Sequence, residues 1–139
     1  MSETKIRIED GPVAVAGASG YIGSRIVEDL VEQGYAVNAC VRDASSAIKT
    51  DHLSEMNKKG LGGSVELHEG DLFKKGSYNK AFSGCSAVIH AGATVGFNRE
   101  TPQEVYDGCF TENEHVLSSI KQSNSVKRFV FTSSFAAIG

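Results

Sequence analysis

Strand and helix alternate along the whole of this sequence, which predicts a doubly wound α/β fold, a parallel five-stranded sheet with helices on both faces. Three observations carry that prediction. Five short apolar runs recur, at 13–18, 36–41, 65–68, 85–91 and 127–133. Stretches of helical periodicity separate them. The first run passes directly into Gly17-Ala-Ser-Gly20-Tyr-Ile-Gly23, a glycine turn, ahead of an amphipathic segment. Right-handed crossovers then give the spatial order 3-2-1-4-5. Ligands of such sheets lie beyond the carboxyl ends of the strands, where the order reverses, here between strands one and four.

Residues 1–11 are polar and mixed in charge and read as a loosely ordered tail; residues 12–139 form the single domain. Val13 to Ala18 is the first strand. Ile22, Ile26, Val27, Leu30 and Val31 recur at helical spacing, and Gly34 suits a left-handed cap. Ala36 to Val41 is the second strand, Ala47 to Lys59 a helix stopped by Gly60-Leu61-Gly62-Gly63, and Val65 to His68 the third strand. Tyr78 to Phe82 is a short helix and Cys85 to Ala91 the fourth strand. Pro102 suits the first turn of a long helix through Ser123, and Lys127 to Ser133 is the fifth strand.

With 139 residues, 40% of them hydrophobic and 22% charged, the chain has the composition of one globular domain. A net charge of -3 argues against nucleic acid as a partner. No apolar run approaches the ~20 residues of a spanning helix, so no membrane partner is expected. The start lacks a signal-peptide pattern. Cys40, Cys85 and Cys109 are odd in number and scattered, as in a reduced, cytoplasmic protein without a disulfide framework or metal site. Cys40 and Cys85 fall in apolar runs and are assigned to the core.

The glycine turn is the first candidate site. Gly17 permits a tight turn, Gly20 a close approach of backbone to ligand, and Gly23 the packing of helix on strand. The amides of the helix start, at Ser19, Gly20, Tyr21, Ile22 and Gly23, suit the pyrophosphate of a dinucleotide. Arg42 ends strand two, where an acid would bond the ribose of NAD and an arginine meets the 2′-phosphate of NADP. Lys49 adds charge, and the Ser19 hydroxyl can donate. NADP is therefore favoured over NAD, with Asp43 the ribose ligand in the competing case and a solvated loop charge the plainest account of Arg42. Asp71 and Leu72 stand where an adenine would lie, although Asp after Gly also serves turns. Ala91, Gly92 and Ala93 are small where backbone passes the ribose and nicotinamide. His90 reads as a packed strand-end residue. Thr132, Ser133 and Ser134 close strand five opposite the nicotinamide, where a hydroxyl can stabilise a developing oxyanion or simply end a strand.

These blocks resemble the extended short-chain dehydrogenase/reductases over nearly all of the chain from Gly11. Gly17-Ala-Ser-Gly20-Tyr-Ile-Gly23 is similar to that family's glycine motif. Cys40-Val41-Arg42-Asp43 with Lys49 resembles its NADP-dependent dihydroflavonol-reductase and cinnamoyl-CoA-reductase branch; Gly70-Asp71-Leu72, His90-Ala-Gly-Ala93 and Phe129-Val-Phe-Thr-Ser-Ser134 resemble later blocks. The resemblance implies a Rossmann fold that interconverts a small-molecule carbonyl and an alcohol with NADP. It puts the catalytic serine on Ser134, with Ser133 second, and Thr94 to Phe97 near the substrate.

One departure stands out. The family's Tyr-x-x-x-Lys pair, a tuned phenol that gives the proton, has no counterpart: four residues after Tyr21, Tyr35, Tyr78 and Tyr106 come Arg25, Ala39, Phe82 and Phe110. The later strands and substrate lobe are likewise without sequence here. The chain reads as the front portion of such an enzyme, inactive by itself, with its fifth strand at an edge open to self-association. The alternatives are part of a nucleotide-sugar epimerase or dehydratase, and a non-catalytic dinucleotide sensor.

Overall fold

The computed structural model describes residues 5–93 and 101–138. Five strands, β1 (Val13–Ala16), β2 (Ala36–Val41), β3 (Ser64–Glu69), β4 (Ala87–His90) and β5 (Arg128–Phe131), form one parallel sheet in the order β3-β2-β1-β4-β5. This is the doubly wound topology expected from the alternation. The helices are α1 (Tyr21–Glu32), α2 (Ala47–Ser54), α3 (Asn79–Phe82) and α4 (Pro102–Ser123).

Side-chain alternation along the strands divides the core in two. Val15, Val37, Ala39 and Val41 face α1 and α2, packing with Val27, Val31 and Leu53. Ala14, Ala16, Cys40 and Val88 face the other way, packing with Phe82, Cys85 and Val116. Cys40 and Cys85 are both buried, as their apolar surroundings predict. One polar side chain enters this second layer with its bonds made: Asn38 Nδ2 donates to Ala81 O at 2.8 Å.

Helix ends follow local chemistry. At the end of α1, Gly34 takes φ 93°, its N–H bonds Val31 O, and Tyr35 N–H bonds Leu30 O, the paired closure that a left-handed glycine permits. Thr101 and Glu104 cap α4 reciprocally: Glu104 N–H donates to Thr101 Oγ1 at 3.3 Å and Thr101 N–H to Glu104 Oε2 at 2.8 Å. Pro102 opens that helix, as expected. The helix expected over 47–59 is shorter than its periodic pattern. It is α-helical to Ser54 and tightens into a 3-10 turn over Glu55–Lys58. The expected strand over 127–133 stops at Phe131, so Thr132 to Ser134 follow the strand instead of ending it.

The polar stretch before β1 is tied to the body from residue 6 onward. Tyr35 Oη donates to Ile6 O at 2.9 Å, Lys127 Nζ meets Asp10 Oδ1 at 3.2 Å, and Ser86 Oγ donates to Gly11 O at 3.1 Å. A 3-10 turn at Ile8–Asp10 lies between these ties.

Candidate cofactor site

The crevice between β1 and β4 is built from glycine. Gly17 follows β1 with φ 81°, and a Cβ on it would lie 2.7 Å from both N and Cα of Gly92, which follows β4. The two strand ends can approach this closely only because both residues lack side chains. Gly23 sits on the carbonyl of Gly17, where any Cβ would collide with backbone; it packs helix on strand as its spacing predicts. Gly20 has only Gly17 O within reach of a built Cβ, at 3.3 Å, so its outer side is open.

Gly20 is the N-cap of α1, and no side chain caps this helix. The amides of Tyr21, Ile22 and Gly23 in the first turn therefore point out with the positive end of the helix dipole, a ready seat for an anion. α1 has 12 residues.

A cavity of about 410 Å³ opens at this point. That is within the range of small-molecule sites. It brings together Gly17, Ser19 and Gly20 from the glycine turn, Arg42 and Lys49 from beyond β2, Leu72 from beyond β3, and Ala91, Gly92 and Ala93 from beyond β4. With Asp43, the competing ribose ligand, which lines the same cavity, these ten positions named from sequence come from four separate parts of the chain.

Other candidates lie elsewhere. The Tyr21 and Ile22 side chains are 96% and 57% exposed and line a different groove beside Arg25, His52 and Met56. Only their backbone faces the first-turn amide cluster. Asp71 is engaged in its turn: its Oδ1 accepts from Phe73 N–H at 3.0 Å, and it is not in the cavity wall. Thr132, Ser133 and Ser134 are exposed beyond β5, outside the wall, held to β4 by the Thr132 N–H bond to His90 O at 3.1 Å. His90 is 2% exposed and its ring meets that of Phe131 at 5.6 Å; burial lowers its pKa, opposed by Asn113 and Glu112. Thr94 to Phe97 lie outside the described residues.

Sequence reasoning missed four wall residues, Cys40, Val41, Gly70 and Tyr78. The Tyr78 ring packs against Gly70, close enough that a Cβ there would strike it. Nothing in the local sequence announces this, because the pair is set by the path of the chain between β3 and α3.

The electrostatics of the rim are uneven. Arg42 forms no ion pair among the described residues. Asp43 is engaged by its own loop. Its Oδ1 accepts from Ser45 Oγ at 2.6 Å and Ser45 N–H at 2.9 Å, and these bonds hold its carboxyl below the ordinary value.

The sequence pattern of the NAD dependent epimerase/dehydratase family matches residues 13–139. Among curated relatives, a dihydroflavonol 4-reductase of Hordeum vulgare is 36% identical over 129 residues, covering 92% of this chain and 36% of that protein. The cinnamoyl-CoA reductase CAD2 of Medicago truncatula is 37% identical over 127 residues, covering 91% and 38%. Among solved structures, yeast methylglyoxal/isovaleraldehyde reductase Gre2 complexed with NADPH superposes with a TM-score of 0.72 at 27% identity, covering 91% of this chain and 38% of that one. The chain thus spans a little over a third of the length of these relatives.

Proposed function

Because the chain belongs to the NAD dependent epimerase/dehydratase family, we propose that it forms the NADP-binding portion of an oxidoreductase that interconverts a carbonyl and an alcohol. The observation that carries this reading is the meeting of the uncapped α1 terminus, the Gly17–Gly92 crevice and Arg42 in one cavity. Each element suits one part of the cofactor. The first-turn amides hold the pyrophosphate. Leu72 covers the adenine, with Asp71 holding the turn that presents it. Ala91, Gly92 and Ala93 let the ribose and nicotinamide pass close to the end of β4.

NADP is favoured over NAD at the rim. Arg42 has no internal carboxylate partner among the described residues, and Lys49 shares its cavity. Asp43, the residue a ribose-binding reading would need, also lines the cavity, but its Oδ1 is engaged by Ser45. A guanidinium fork matches a 2′-phosphate in geometry and charge.

A nicotinamide cofactor held by these residues would supply or accept hydride. The chain's own contribution at that step is a hydroxyl, from Ser134 or its neighbour Ser133, donating to the substrate oxygen as negative charge gathers there. Both follow β5 at the sheet end that carries Gly17 and Gly92. A proton donor equivalent to Tyr-x-x-x-Lys is not among the 139 residues. The names of the relatives, reductases of carbonyl compounds, support this direction of chemistry over nucleotide-sugar epimerisation.

Calorimetric titration with NADPH and NADH tests the proposal. Saturable binding with NADPH the tighter ligand is the expected result, and absence of binding to either removes it.

A further inference from the structure

The wall that would cover the adenine is tied to the sheet at its start, where Gly70 N–H donates to Val41 O at 2.9 Å, and farther along it is held by α4. Leu72 belongs to the turn after β3, and its backbone carbonyl points away from the cavity to α4. There His115 Nδ1 stands 2.7 Å from Leu72 O. Since a carbonyl can only accept, Nδ1 carries the proton and donates. Further contacts lie within the turn itself. Asp71 N–H donates to Ser77 Oγ at 2.9 Å, Ser77 Oγ donates to Asp71 O at 2.7 Å, and the Tyr78 ring lies on Gly70. Ser77 and Tyr78 are sequence neighbours of the turn and move with it. His115 is 43 residues away, on a helix anchored in the core through Val116.

The geometry points to His115 as a positioning residue for cofactor binding: through Leu72 O it fixes the adenine-covering turn to α4. The inference rests on the cofactor reading above. His115 lines a separate surface groove with Lys75, Ser118 and Lys121 and is not in the cavity wall, so it acts only through Leu72. Its loss should weaken the adenine half of the ligand and leave the nicotinamide half alone.

The test uses the 139-residue chain and three probes: NADPH, adenosine 2′,5′-bisphosphate and nicotinamide mononucleotide. His115→Ala is expected to raise the dissociation constants for NADPH and for the bisphosphate by about three- to tenfold, the range of one net hydrogen bond. The weak affinity for the mononucleotide should not move. His115→Gln, whose carboxamide can donate to the same carbonyl, should restore most of the loss. Should the alanine variant not fold, His115→Leu keeps the bulk against the turn, removes the donor and carries the same expectation. Unchanged bisphosphate affinity, an equal loss for both halves, or no rescue by glutamine overturns the inference while leaving the cofactor reading standing. Wild-type chain that binds neither NADPH nor the bisphosphate overturns both.

Discussion

Gly17 and Gly92 face each other across the crevice so closely that one methyl on Gly17 would sit 2.7 Å from the Cα of its partner. The two residues are brought together by the pairing of β1 with β4, in which Ala16 stands opposite His90. This contact closes the floor of the cavity and separates two kinds of glycine requirement.

Gly17 serves the fold and Gly20 the ligand. Gly17→Ala combines a positive φ with a backbone clash and should destabilise the chain by roughly 2 kcal/mol or more, read as a lowered urea midpoint. Gly20→Ala meets only Gly17 O at 3.3 Å, with φ -76°, and should lower the midpoint much less than Gly17→Ala. The same alanine points where the pyrophosphate would approach, and NADPH affinity should fall about tenfold or more. Equal affinity in wild type and Gly20→Ala would count against the pyrophosphate seat.

Arg42 should set the choice of cofactor. Arg42→Ala is expected to weaken NADPH by about ten- to a hundredfold, the loss of a charge-assisted contact, with NADH affected little. Arg42→Lys should recover only part, because a point charge lacks the fork. An unchanged NADPH-to-NADH ratio in the alanine variant returns Arg42 to the solvated rim.

The buried thiols predict an alkaline limit. Burial pushes Cys85 from 9.0 up to about 11 and raises Cys40 as well. In the unfolded chain both ionise near 9.0; in the fold they stay protonated. The stability they confer is complete below pH 9 and is lost progressively as pH rises toward 11. Urea midpoints measured between pH 8 and 11 should fall with this profile, and Cys85→Ala should make the fall shallower, leaving the Cys40 share. At pH 8 neither thiol should react with a maleimide until the sheet opens, since both are buried.

β5 is an edge strand in the described sheet, with Val130 45% and Phe131 49% exposed on opposite faces. Unpaired backbone beside apolar side chains invites another strand. Sedimentation of the 139-residue chain should show mass rising with concentration, and Val130→Lys should suppress it. A strictly monomeric wild type at millimolar concentration sinks this expectation.

The same chain mixed with NADPH and a panel of aldehydes should leave NADPH unconsumed. None of Tyr21, Tyr35, Tyr78 or Tyr106 is followed by lysine four residues on, so the tuned proton donor is missing from these residues. Protein-dependent loss of NADPH absorbance would contradict this.

The parts of this molecule that sequence made legible are those coded by neighbours. The glycine turn, the Gly34 closure of α1 and the Pro102 start of α4 each depend on residues within a few positions, and strand order follows from alternation and crossover handedness. Arg42, Lys49 and Gly92 were located because strand ends converge in this topology. The contacts that escaped have no periodic signature: Tyr78 on Gly70 within one irregular turn, and His115 on the carbonyl of Leu72 across 43 residues. Asp71 shows the converse. Its strand-end position suggested a ligand contact, yet its carboxylate serves Phe73 N–H two residues away, the local competition that Asp offers any turn.

The central place of β1 carries a consequence for synthesis. β1 pairs with β2 on one side and β4 on the other. On the ribosome the nascent chain delivers β1, β2 and β3 first, and these can associate as a half-sheet around α1 while β4 is still unmade. The binding crevice has no second wall until β4 arrives and brings Gly92 against Gly17. A nucleotide that gripped both lips would therefore clamp the early half of the chain to the late one, and only after that last wall is in place.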